Sequence, residues 1–224
     1  MTIQQYFGDW SKVIDLKEAD RILKRLPSDI CPAKKDIFKA FRLCPYNDLR
    51  VVICGQDPYP DIYNGNPRAT GIAFANTPDT PEDFYSPSLE ILKESVIDYT
   101  IPHRRINFDP SLEKWEEQGV LMLNSALSCK IGRTDSHTLL WWPFLKSLFT
   151  NLSKHKTGIV YILMGSQAES LEPFINKGFN HIIRIRHPSY YARTKTRMPS
   201  DIWQEANQIL IGQNGTGIEW YQEY

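Results

Sequence analysis

Apolar residues gather along the chain in two rhythms. Four short runs, Leu49 to Cys54, Val120 to Leu123, Ile159 to Leu163 and His181 to Ile185, are nearly continuous and bounded by turn residues, which predicts strands. Between them apolar positions recur at helical spacing: Leu89, Leu92 and Val96 after Ser88, then Pro143 to Leu152, Gln167 to Asn176, and Ser200 to Leu210 with Ser200 as N-cap. A parallel return needs a crossover long enough to hold a helix, so this alternation predicts an α/β fold. The expected architecture is a central, mostly parallel four-stranded sheet flanked by helices on both faces. The segment Asn76 to Pro87, rich in Pro, Asp and Thr, reads as a surface loop.

No repeat, low-complexity block or Gly/Ser linker interrupts the pattern. A length of 224 residues with 42% apolar content supports one core, so residues 1–224 are expected to form a single domain. The 26 basic and 26 acidic residues cancel, and overall charge gives no reason to expect a nucleic-acid partner. Residues 182–199 are a local exception, holding Arg184, Arg186, Arg193, Lys195 and Arg197 with no Asp or Glu. Such a stretch suits a phosphate backbone and equally an ordinary solvated face. Cys31, Cys44, Cys54 and Cys129 form no CxxC pair, and their spacing suits neither a zinc nor an iron–sulfur site, which predicts buried free thiols and no metal. No basic-then-apolar leader opens the sequence and no run of about 18 apolar residues occurs. The expectation is a soluble intracellular protein with no membrane partner, cytoplasmic, or nuclear in a eukaryote.

Ligands of open α/β sheets bind beyond the carboxyl ends of the strands. The residues there are Gly55-Gln56-Asp57-Pro58-Tyr59, Asn124-Ser125, Gly165-Ser166 and His187-Pro188-Ser189. A carboxylate, an amide, a small-residue turn and an imidazole are thereby directed at one edge. Taken singly, each has an ordinary reading: Asp57 as a turn residue satisfying backbone donors, Asn124 as a strand end, Phe74 as core, His187 as a loop histidine. Neither GxGxxG nor GxxxxGKS occurs, which argues against a nucleotide-binding α/β enzyme.

Taken together, the motifs carry more. FGDW at residues 7–10, FRLCPYNDLRVVICGQDPY at 41–59, GIAF at 71–74, SPSL at 86–89, QGVLMLNSAL at 118–127, SH at 136–137, MGSQA at 164–168 and HPS at 187–189 follow one another in the order found in the family-1 uracil-DNA glycosylases, which the chain resembles. The resemblance implies a monomeric enzyme that flips uracil out of DNA and hydrolyses its N-glycosidic bond, initiating base excision repair without a cofactor. It assigns Asp57 to the sugar cation and the incoming water, with Gln56 shaping that site. His187 would donate to uracil O2 as charge gathers on the leaving base. Asn124 would pair with N3–H and O4, Phe74 would stack on the base, and Tyr59 would exclude the methyl of thymine. The loops Ser86-Pro87-Ser88, Gly165-Ser166 and His187-Pro188-Ser189 would grip phosphates without reading sequence. The implied partners are uracil-containing DNA, single- or double-stranded, and a proteinaceous uracil-glycosylase inhibitor.

The sequence departs from the family at three places within its motifs, and the acidic-aromatic tail after Gly217 has no family match. Pro60 stands where His usually follows GQDPY, which removes an imidazole and stiffens the loop. Met164 replaces a common Trp, and Tyr190-Tyr191-Ala192 replaces Pro-Leu-Ser, so Tyr191 aligns with the leucine that wedges into the duplex and is expected to insert. A silent lesion-sensing protein with the same pocket is the rival reading.

Overall fold

The computed structural model describes residues 3–99 and 106–223. The four apolar runs form β1 (Val51–Gly55), β2 (Val120–Asn124), β3 (Val160–Met164) and β4 (His181–Ile185). They pair in the order β2-β1-β3-β4, every neighbour parallel. The strands read as continuous apolar runs because both faces are covered. Val52, Cys54, Leu121, Leu123, Tyr161 and Leu163 face a layer containing Trp141, Phe144 and Leu148. Their neighbours Val51, Ile53, Val120, Met122, Val160 and Ile162 face Leu89, Leu92, Trp203 and Ala206. β4, with one free edge, breaks the rule by exposing His181 and Arg184.

The helices that build these layers are α1 (Leu16–Arg25), α2 (Pro87–Tyr99), α3 (Thr138–His155), α4 (Pro188–Thr194) and α5 (Asp201–Asn214). Leu89, Leu92 and Val96 are fully buried, as the spacing predicts. The structure differs from the sequence reading at four places. α3 starts five residues before Pro143, whose missing N–H falls on an exposed part of the helix and leaves only the carbonyl of Leu139 unpaired by it. The helix expected over Gln167 to Asn176 is broken into Ser166–Glu169 and a 3-10 turn at Glu172–Phe174, because Pro173 cannot donate to continue it. Ser200 sits at the N-cap of α5 but its backbone is already helical and its side chain makes no capping bond. The loop from Asn76 is pinned at both ends: the Asn76 carboxamide donates to Ser86 Oγ and accepts from Ser86 N, both at 2.8 Å, and Asn76 and Ser86 are buried.

Short antiparallel pairs finish the frame. Ile30–Cys31 pairs with Cys129–Lys130, and Gly132 N donates to Pro60 O at 2.8 Å, which docks the segment after β2 onto the turn after β1. The four cysteines are buried free thiols, and burial pushes those of Cys31 and Cys129 up to about 11 and about 12. Among the described residues, no helix is long and apolar enough to cross a membrane.

Candidate active site

At the carboxyl edge, Gly55 of β1 lies in register with Asn124 of β2. A Cβ on Gly55 would stand 2.6 Å from the Phe74 ring and 2.7 Å from Asn124 Oδ1, so only glycine lets ring and carboxamide approach so closely. Phe74 itself is held at φ +67°, a conformation uncommon for a non-glycine residue, and its carbonyl accepts the Tyr59 hydroxyl at 2.8 Å. Burial raises the phenol of Tyr59 above its usual range, so it is a neutral donor.

These residues line a narrow cleft of about 30 Å³ whose walls include Asp57, Tyr59, Phe74, Ser88, Asn124 and His187. The Asn124 carboxamide, on a residue 8% exposed, has no hydrogen-bond partner among the described residues. A buried amide left open in this way is ready to pair with a ligand. The imidazole of His187 lies 5.5 Å from the Phe74 ring, centroid to centroid.

His187 is the N-cap of α4. Its Nδ1 accepts from Ser189 N at 3.2 Å and lies 2.8 Å from Ser189 Oγ. A backbone N–H can only donate, so Nδ1 is unprotonated and the single ring proton sits on Nε2. Burial alone pushes the imidazole down to about 4, which keeps it neutral at physiological pH. Gly165 makes room for it: with φ +88°, it would bring a Cβ to 2.9 Å from the Cβ of His187.

Asp57 Oδ2 accepts from Asp135 N at 2.8 Å, while Oδ1 is buried with no partner. Burial raises its carboxyl to about 6; the Asp135 N–H opposes that rise and the Asp135 carboxylate adds to it. Gln56, expected beside the base and water, adjoins Asp57 but is not among the cleft walls. Its carboxamide donates to Asp135 Oδ1 at 2.9 Å, outside the cleft walls.

The loops around the mouth divide. Pro87 and Ser166 are exposed, Gly165 is half-buried, and Ser88 lines the cleft. Ser86 is a correction: it is buried, with its hydroxyl held by Asn76. Ser189 is exposed but its hydroxyl is turned to His187. Tyr191, expected to stand out as a wedge, is 8% exposed and belongs to the buried apolar cluster on one face of the sheet. The aromatic side chain nearer the surface is Tyr190, half-buried, with the guanidinium of Arg186 at 4.4 Å and that of Arg193 at 6.0 Å from its ring centroid. Arg184 belongs to a separate ion pair with Glu172 at 2.6 Å. Sequence reasoning gave Asp135 no role, although the neighbouring Ser136-His137 motif pointed to its segment, and Gln167 entered only as part of MGSQA and of an expected helix.

The profile of the Uracil DNA glycosylase superfamily matches residues 41–211. A uracil-DNA glycosylase of Yersinia pestis (strain Pestoides F) is 36% identical over 199 residues, 88% of this chain and 83% of its own. One of Vibrio campbellii is 33% identical over 221 residues, 97% of this chain and 91% of its own. The crystal structure of mimivirus uracil-DNA glycosylase superposes with a TM-score of 0.78 at 25% identity, covering 97% of this chain and 86% of its own. A point variant of that viral enzyme in complex with UGI gives 0.79 at 23% identity, covering 97% and 87%. The profile spans most of the chain and the relatives pass 30% identity over nearly all of it, so the chain belongs to the uracil DNA glycosylase superfamily.

Proposed function

We propose that the protein removes uracil from DNA by base flipping and hydrolysis of the N-glycosidic bond, the first step of base excision repair. The observation that carries this reading is that Asp57, Tyr59, Phe74, Asn124 and His187, drawn from distant parts of the sequence, share one cleft. Extruding the base costs a few kcal/mol of stacking and pairing, which contacts in the cleft must offset. Phe74 supplies a stacking face worth about 1–3 kcal/mol. The open carboxamide of Asn124 meets N3–H and O4 of uracil; cytosine presents the reverse pattern and would leave buried groups unpaired. Tyr59, locked by its bond to Phe74, stands where a methyl at C5 would fall.

As the bond from C1′ to N1 breaks, its electron pair leaves with uracil. His187, neutral and carrying its proton on Nε2, donates to O2 and stabilises the anion without first losing charge of its own. The unpartnered Oδ1 of Asp57 faces the sugar cation and draws the proton from the water that adds to C1′. No step uses a metal or an organic cofactor.

Ser88, Gly165, Ser166 and Ser189 ring the mouth and contact phosphates, helped by Arg186, Arg193 and Lys195. Tyr190 presents the surface aromatic; Tyr191 reaches a duplex only by leaving the core, and an unchanged preference for duplex over single strand in Tyr191→Ala counts against insertion. Residues 1–224 act as one intracellular, monomeric domain, and UGI, bound by the viral enzyme, is the inhibitor to try first.

The test is release of free base from oligonucleotides carrying paired U·A, mispaired U·G, single-stranded U, or thymine. The expected result is abasic sites from the three uracil substrates and none from thymine. Binding to uracil DNA without any release would leave the lesion-sensing alternative standing.

A further inference from the structure

One carboxylate outside the cleft ties three loops together. Asp135 Oδ1 accepts from Gln56 Nε2 at 2.9 Å and from Gln167 Nε2 at 3.2 Å, while Asp135 N donates to Asp57 Oδ2 at 2.8 Å. Gln56 belongs to the turn after β1, Asp135 to the segment after β2, and Gln167 to the turn after β3. Asp135 sits at φ +58°, where Asp and Asn are tolerated better than most residues.

We infer that Asp135 is a positioning residue for Asp57, and that the Gln56–Asp135–Gln167 clamp decides which oxygen of Asp57 faces the sugar and the water. The inference rests on the glycosylase reading above. A carboxylate on a short side chain can swing, and a single N–H bond fixes it only as firmly as the loop that bears the N–H. The segment from Ile131 to Asp135 is exposed throughout; Ile131 N and Gly132 N pin its start to Asp29 O and Pro60 O, but neither these bonds nor packing immobilise Asp135 itself. Two amide donors on one carboxylate oxygen do, because they anchor Asp135 to the turns after β1 and β3 at once. With Oδ2 held, Oδ1 is left buried and unpartnered on a residue that lines the cleft.

The clamp also places a like charge beside Asp57. The titratable groups around Asp57 are Asp135 on the clamped segment, Cys129 on the adjoining short strand, and Tyr59 and His187 in the cleft walls; no cation is among them. Removing the Asp135 charge therefore makes Asp57 easier to ionise.

Steady-state excision by the full chain, from a single-stranded uracil oligonucleotide between about pH 5 and pH 9, tests the assignment. Asp135→Ala is expected to lower kcat about ten-fold or more with KM little changed, since it loosens the catalytic carboxylate. Asp135→Asn should recover most of that loss, because an amide oxygen still accepts both donors and Asn tolerates the backbone. Its activity should rise at lower pH than in the wild type. Gln167→Ala removes one strut and should cost less than Asp135→Ala. The inference is overturned if Asp135→Ala changes KM alone, or if Asp135→Asn leaves the pH at which activity rises unmoved. A wild-type chain that releases no uracil overturns the functional reading instead; an active wild type with indifferent variants overturns only the clamp.

Discussion

Asp57 and Glu116 are both carboxyl groups withdrawn from water, and each has one oxygen buried without a hydrogen-bond partner. Each also accepts one backbone N–H: Asp57 from Asp135 at 2.8 Å, Glu116 from Met122 at 3.1 Å. Burial raises both above the ordinary carboxylate range, Asp57 to about 6 and Glu116 well above its usual value; for Glu116 the Met122 N–H and then Lys39 oppose the rise while Glu113 adds to it. The difference lies in what stands before the free oxygen. Asp57 lines the cleft, whereas Glu116 is fully buried and is not among its walls. An orphaned acceptor marks a reactive site only where something can enter; elsewhere it marks a carboxyl that keeps its proton.

The largest effect expected from this contrast is at Asp57. Asp57→Asn should reduce uracil release by at least about 100-fold, because it removes the charge that meets the sugar cation. It should keep or raise the thermal midpoint, since a poorly solvated charge is gone and the carboxamide still accepts the Asp135 N–H. Parallel activity and melting measurements check this, and a large fall in stability would put Asp57 in the same structural role as Glu116. Next comes His187→Leu, expected to cost about 100-fold in rate through loss of the donor at O2. Its stability should drop by about 1 kcal/mol, because Ser189 N loses its cap.

A profile of kcat/KM against pH gives a smaller, graded effect. Asp57 works as an anion and its folded value is about 6, so activity should be low below that pH and climb through it. His187 is already neutral above about 4 and does not set this limb, so a rise centred near 4 would contradict the assignment. The smallest effect is expected at Glu116. Its raised folded value means that the protonated form stabilises the fold at low pH and that this contribution is lost as pH rises through that value. Glu116→Gln cannot ionise, so uracil release should be unchanged and the thermal midpoint should fall less towards alkaline pH; altered activity would erase the distinction.

The cleft was legible because it is built at strand ends, where apolar runs stop and α/β topology fixes direction. Asp57, Asn124 and His187 follow three such runs, and their neighbours GQDPY and HPS carry the family pattern. Asp135 was not legible. It lies in a segment without periodicity, and its bonds join it to residues 79 and 32 positions away in sequence. The partner of the Gln56 carboxamide was hidden for the same reason, since it comes from that segment. Tyr191 aligned with an exposed wedge, yet a seven-residue helix capped by His187 turns it inward. The early start of α3 was hidden by Pro143, which normally signals a first turn.

The strand order has a consequence for synthesis. Asp57 leaves the ribosome early, Asn124 midway, and His187 only with the last quarter of the chain, alongside the edge strand β4 and α5 that close the far side. A nascent or truncated product therefore holds the acid without the imidazole that receives the departing base. The proposed site is therefore complete only when the last quarter of the chain has been made and β4 has joined the sheet.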